Sequence, residues 1–357
     1  MSDAKSWNLW HGCRKCSEGC ENCYVFFTDG LRGVPEKASA VARTKQFDMP
    51  LRKDRRGIYK VPAGTMLSVN MTSDTFIEEA DEWRPEMWSI IRKRPDVLFY
   101  ILTKRPERIM QCLPDNWGDG WDNVILNISV ENQRNFDSRW PVFEKVPAKH
   151  KGLNLAPLIG PVDISPALAS GQIRHVALSG EAFGGDRPCC YEWIEQVSLC
   201  CRRYSVNLAV NLVGNVFVRD GSPCITRSFD RQAEMAYDLG LSYHAGDVDY
   251  KLRHYLDKHV LEEDEKVRRV YNADRCVRCT NIRYCTGCSL CMKCKPEGEF
   301  VPFDGIMAER ARKDARCPLS YGGYKLSPEV SEKGRNIAFT SDSPIWRHRM
   351  SGIEQYP

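Results

Sequence analysis

The placement of its cysteines constrains this chain more than any other feature. Of the 17, four crowd the start as Cys13, Cys16, Cys20 and Cys23, and six crowd a stretch near the end as Cys276, Cys279, Cys285, Cys288, Cys291 and Cys294. The opening, MSDAKSWNLWHGC, has no basic-then-apolar signal segment, and no apolar run approaches the ~20 residues that cross a bilayer. Both observations predict a cytoplasmic protein with no membrane partner. In a reducing compartment, clustered thiols serve metal or redox chemistry rather than disulfides. The remaining seven, Cys112, Cys189, Cys190, Cys200, Cys201, Cys224 and Cys317, read as small buried hydrophobes.

In the first cluster, Cys16, Cys20 and Cys23 are spaced Cys-x3-Cys-x2-Cys. Three thiolates on one loop hold three irons of a [4Fe-4S] cluster and leave the fourth iron open. An open iron can chelate the amino and carboxylate groups of S-adenosyl-L-methionine (SAM), and reductive cleavage then yields a 5′-deoxyadenosyl radical. The competing reading is a zinc knuckle that pairs Cys13 and Cys16 with Cys20 and Cys23. Closing four ligands around one zinc within residues 13–23 is tight, since four-cysteine zinc sites usually separate their pairs by a longer loop. The iron–sulfur reading is therefore preferred. In the second cluster, Cys285 through Cys294 repeat the Cys-x2-Cys steps of ferredoxin-like loops, although the usual proline is displaced to Pro296. An auxiliary iron–sulfur cluster and a zinc site with Cys276/Cys279 and Cys291/Cys294 as paired knuckles both remain open there.

Between the clusters, short apolar runs alternate with helix-compatible stretches. Candidate strands cover residues 65–70, 98–103, 124–130, 152–155, 176–179 and 208–212, with helices such as 85–93 and 191–203 between them. Such alternation predicts an α/β protein with a parallel sheet, whose functional residues gather at the carboxyl ends of the strands. The main domain is expected over residues 1–250. A charged helix over 252–270 and the Cys-rich segment form an extension within 251–357. The composition, 42% hydrophobic and 27% charged, is ordinary for a globular chain, and a net charge of +4 does not by itself argue for a nucleic-acid partner.

Several blocks resemble, in order, those of the phage Gp37/Gp68 family of radical SAM-like proteins. They are Trp7-Asn8, His11-Gly-Cys13, Ser17, Gly19-Cys20, Cys23-Tyr24, Ser68-Val-Asn-Met-Thr-Ser-Asp74, Leu102-Thr-Lys-Arg-Pro106, Ser129-Val-Glu-Asn132, Leu158-Ile-Gly-Pro-Val-Asp163, Ser179-Gly-Glu181 and Asp186-Arg-Pro188. The likeness spans about residues 7–215. A more distant likeness is to spore photoproduct lyase, which also carries a Cys-x3-Cys-x2-Cys-Tyr loop. The resemblance implies a radical SAM partial TIM barrel. In the phage family the first cysteine usually stands where Cys13 does, whereas radical SAM enzymes in general favour Cys16, so both are candidate first ligands.

Candidate site residues lie where the strands should end. Asp74 is suited to the SAM amino group or a ribose hydroxyl, or equally to capping a helix. Lys104, Arg105 and Arg187 are suited to a SAM carboxylate or a substrate phosphate. Glu131 and Glu181 are the catalytic candidates, and Ser129 and Ser179 are weaker cofactor contacts. Basic groups (Arg52-Lys53, Arg55-Arg56, Arg92-Lys93-Arg94, Arg202-Arg203) and aromatics (Trp83, Trp88, Tyr100, Trp117, Trp121, Trp140) either meet nucleic acid or are solvated face and core. Taken with the resemblance, these features lead to the expectation of an enzyme of viral DNA hypermodification, acting in the host cytoplasm. It would isomerise a glycine-type adduct on the thymine methyl group from nitrogen-linked to carbon-linked, drawing electrons from a flavodoxin or ferredoxin. Repair or tailoring of another base and a non-catalytic zinc-bound nucleic-acid-binding protein are the alternatives.

Overall fold

The computed structural model describes residues 6–245 together with the strand segments 248–250 and 324–326. The 252–270 stretch, the second cysteine cluster and Cys317 lie outside the described residues.

Seven strands, numbered here along the chain, make one parallel sheet: β1 (Ser6–Trp7), β4 (Met66–Val69), β5 (Leu98–Thr103), β6 (Val124–Ser129), β7 (His150–Leu155), β8 (Ile173–Ser179) and β10 (Asn207–Leu212). They lie side by side in that order. Parallel neighbours need a crossover, and helices supply it: α2 (Arg84–Lys93), α3 (Pro106–Cys112), α4 (Gln133–Phe143), α5 (Ser165–Ala169) and α6 (Tyr191–Arg203). At the N-terminus β2 (Trp10–His11) pairs antiparallel with β3 (Ala42–Arg43), and α1 (Tyr24–Leu31) lies between them in the chain. At the other edge, β9 (Pro188–Cys190), β11 (Val216–Arg219) and β12 (Ser222–Ile225) form a small sheet beside α7 (Phe229–Asp238). Val248–Tyr250 pairs in parallel with Tyr324–Leu326.

Period-two alternation sorts the strand residues onto two unlike faces. Val69, Phe99, Ile101, Leu126, Ile128, Leu153, Leu155, Val176 and Leu178 are buried in the main hydrophobic cluster with the helix residues. The opposite face is polar and small: in register, Leu102, Asn127, Gly152, His175 and Asn207 form one row, and Ser129, Asn154, Ala177 and Ala209 the next. This face is concave. Tyr100 on β5 and His175 on β8 would stand about 14 Å apart at flat strand spacing, yet their rings lie 5.6 Å between centroids. The sheet therefore curls, and Gly152 between them makes room, because a Cβ there would overlap both Asn127 Oδ1 and the His175 ring. The result is a mixed α/β half barrel, as the alternation of strands and helices predicts.

The aromatic residues settle as core. Trp88, Trp117 and Trp121 form a triangle of rings 5.4 to 5.7 Å apart. Tyr100 and Trp140 are also buried, while Trp83 packs half-buried beside Trp10. Five of these six aromatics are thus core, and Trp83 alone of them keeps an exposed part. Arg94, in one of the basic runs, is fully buried against Asp96. Cys112, Cys189 and Cys201 are buried as read from the sequence, and Cys190 and Cys200 are half-buried. Cys224 departs from that reading and is exposed on the edge strand β12.

Candidate functional site

The first cysteine cluster sits on the loop of residues 12–23, which crosses the carboxyl ends of the strands. The segment after β4 receives it. Asn70, in the left-handed region at φ 51°, accepts the Leu9 N–H at 2.9 Å. The Gly12 N–H reaches Thr72 O at 3.1 Å, while Ser73 Oγ donates to Gly12 O and Tyr24 Oη to Met71 O.

Three charged clusters then clamp the loop to the rim. In the first, Asp74 accepts from Arg105 Nη1 (3.0 Å), Lys104 N (3.0 Å), Thr103 Oγ1 (2.7 Å) and Phe76 N (2.9 Å), while Arg105 Nη2 donates to Arg14 O at 2.7 Å. In the second, the fully buried Glu131 pairs with Lys104 and with Arg139 Nη1 (2.7 Å), and Ser17 Oγ donates to it at 3.4 Å. Asn132, the N-cap of α4, donates to Glu18 Oε1 at 2.6 Å and lowers that carboxyl's pKa. In the third, Glu181 accepts from Arg187 Nε (2.9 Å) and N (3.0 Å) and from Asn22 Nδ2 (3.1 Å), while Arg187 Nη1 donates to Glu18 O at 2.8 Å. Gly19 permits this closeness, since a Cβ there would overlap Glu131 Cγ.

The structure thus brings Asp74, Lys104, Arg105, Glu131, Glu181 and Arg187 to one rim beside the thiols. Their charges face each other and the loop. Ser129 is buried, with its carbonyl accepting from Arg139 at 2.8 Å, and Ser179 is half-buried. Residues the sequence reading missed are Ser17 as a hydrogen-bond donor, Asn22, Asn132 and Arg139. Ser17 and Asn132 stood in the blocks that carry the family resemblance, and Asn132 also at an N-cap position, whereas Asn22 and Arg139 carry no motif.

Within the loop the four thiols differ. Cys20 is buried, Cys13 and Cys23 are half-buried and Cys16 is exposed. The Cys16 thiol hydrogen-bonds Cys20, which, with nearby Lys104 and against its burial, lowers the Cys20 pKa to about 5. Cys16 is raised in turn by that bond, and burial raises Cys23. Cys13 packs against the hydrophobic cluster, and burial together with Asp74 pushes it up to about 12. Burial pulls the Arg105 pKa down, but Asp74, Cys16 and Cys13 outweigh it and hold the guanidinium charged. Among the described residues, no three His, Cys, Asp or Glu side chains converge as a ready site for a metal ion. The donor set, a low-pKa thiol, its hydrogen-bonded neighbour and a third cysteine three residues on, with Lys104 and Arg105 nearby, has the chemistry that thiophilic metals such as iron or zinc take.

Fold and site together define a parallel α/β half-barrel protein with a cysteine loop clamped across its strand ends. The family model described as "Protein of unknown function (DUF5131)" matches residues 3–255, and the chain belongs to that family. No curated protein and no solved structure matches it. No helix among the described residues is long and apolar enough to cross a membrane.

Proposed function

We propose that this protein is a radical SAM enzyme with a partial TIM-barrel fold that modifies a nucleic-acid base. The observation that carries the reading is the Cys16, Cys20, Cys23 loop fastened over the carboxyl ends of a parallel half barrel. Cys16, hydrogen-bonded to Cys20, is favoured over Cys13 as the first ligand, while Cys13, packed against the core beside Asp74, also lies near Cys20 and Cys23 and stays the alternative. When bound, a [4Fe-4S] cluster with SAM supplies a 5′-deoxyadenosyl radical. The protein's own groups orient the loop and keep its thiolates in a cationic setting. In this reading Glu131 and Glu181 are positioning residues, acting through Lys104, Arg139 and Arg187, rather than proton carriers. Asp74 likewise orients Arg105.

The resemblance to the phage Gp37/Gp68 family supports a finer assignment. It is viral DNA hypermodification, in which a glycine-type adduct on the thymine methyl group passes from a nitrogen-linked to a carbon-linked attachment, atoms of base and adduct being conserved. Such DNA would resist host nucleases. Electrons would come from a flavodoxin or ferredoxin, and the cysteines at 276–294 would hold an auxiliary iron–sulfur cluster or zinc.

Anaerobic purification tests the class. A brown protein that cleaves SAM to 5′-deoxyadenosine and methionine under reduction is expected. A colourless zinc protein that fails to do so after reconstitution with iron and sulfide overturns the proposal. Digestion of DNA from cells expressing the neighbouring genes, with and without this one, tests the substrate. Unchanged modified-thymidine masses and retention times would exclude it.

A further inference from the structure

The rim and the inner face of the half barrel carry opposite chemistry. On the rim, each strand-end charge has its counter-charge: Asp74 with Arg105, Glu131 with Lys104 and Arg139, Glu181 with Arg187. Just inside, the two register rows that hold Leu102, Asn127 and Asn154 contain no ionised group. Their one titratable member, His175, is kept neutral by burial, which lowers its pKa to about 3.

Solvent reaches this face at Leu102, Asn154 and Ser179, which are half-buried, and at the bulge of β10 beside Ser179, where Asn211 and Leu212 are half-buried, while Asn127, Gly152, His175 and Asn207 are closed. Among the described residues, the side-chain amides of Asn154 and Asn211 make no hydrogen bond. One row below, Asn127 is 1% exposed and its Oδ1 has no partner. The neighbours of Asn154 across the sheet, Ser129 and Ala177, with Ala209 one strand further, are all small side chains.

An anion seated here would find no counter-charge, and a hydrocarbon would strand the amides without partners, which costs about 1–3 kcal/mol per buried group. A planar neutral ring with adjacent carbonyl and N–H groups satisfies both conditions. Asn offers one acceptor and two donors side by side, the complement of such an edge, and Leu102 supplies an apolar contact. We infer that the shelf of Leu102, Asn154, Ser179 and Asn211 is a nucleobase-binding site in which Asn154 reads the hydrogen-bonding edge of the base. The inference rests on the proposed nucleic-acid substrate and assigns its base to this face, while phosphates must be met elsewhere.

The test compares full-length protein binding to a short oligothymidylate and to an abasic strand of equal length, at one salt concentration because phosphate contacts are salt-dependent. Wild type should prefer the oligothymidylate. In Asn154→Leu, which keeps the branching but not the amide, and in Asn154→Ala, that preference should fall about tenfold with abasic affinity unchanged. A preference unaltered in both variants overturns the inference, as does wild-type protein that binds the two strands alike or binds neither. SAM cleavage by the same preparations separates the two proposals. Cleavage without base preference defeats only the shelf, and base preference without cleavage defeats only the radical reading.

Discussion

The two ends of the half barrel use the same device for different ends. At the amino ends of the strands, Arg94 is fully buried, pairs with Asp96 at 2.7 Å, and donates to the carbonyls of Pro50 and Val61 (the latter at 2.7 Å). At the carboxyl ends, Arg105 and Arg187 pair with buried carboxylates and donate to the carbonyls of Arg14 and Glu18. Both are arginines that pin a loop by its backbone. One loop is plain and the other bears four thiols. A buried arginine–carboxylate pair is therefore no mark of function in itself; what it holds decides.

Arg94→Ala should break this comparison most heavily. It strands Asp96 in the core and should cost about 3–5 kcal/mol, read as a shift in the urea midpoint. The buried Cys20 should alkylate no faster in the protein that remains folded. Arg187→Ala should do the reverse. Stability should fall by about 1–3 kcal/mol, and Cys20 in apo-protein should alkylate at least tenfold faster, because a clamp has gone locally. Equal alkylation of the two variants would erase the distinction drawn between the ends.

Mild acid should strike the amino-end half of the sheet first. His150 and His175 are buried neutral, desolvation lowering their pKa values from 6.5 to about 4 and about 3. Below pH 6.5 the unfolded chain takes up protons that the native one refuses, so stability falls as pH falls, by up to about 1.4 kcal/mol per pH unit for each histidine. The loss continues until the folded values are reached. Urea unfolding at pH 7 and pH 5 measures it, and equal stability at the two would refute it. The smallest effect is expected from Cys13→Ser: if the proposed iron–sulfur cluster is reconstituted, Cys13→Ser should retain the iron that Cys16→Ser, Cys20→Ser and Cys23→Ser lose, as an iron assay of the reconstituted proteins would show.

Much of this arrangement was legible beforehand. The six candidate strands and helices 85–93 and 191–203 are present because their apolar runs are long enough to carry a pattern. A two-residue strand such as Ser6–Trp7 has no period, and its place at the sheet edge comes from pairing with Ser68 and Val69. The strand-end charges were visible as residues but not as partners. Glu131 meets Ser17 across 114 positions and Asn22 meets Glu181 across 159, distances over which a chain gives no local cue. Asn154 was silent for a different reason. A single uncharged amide within the strand His150–Leu155 looks like any exposed polar residue until the curl of the sheet turns it inward.

Gly19 gives the loop a direction of travel. With its hydrogen set against Glu131, the loop cannot sink toward the barrel without pushing that carboxylate off Lys104 and Arg139. Its remaining freedom is outward, against the restraint of Arg105, Ser17 and Arg187 together. The thiols are thus mounted like a latch with a stop on one side, and their height above the inner face is fixed by a missing methyl group.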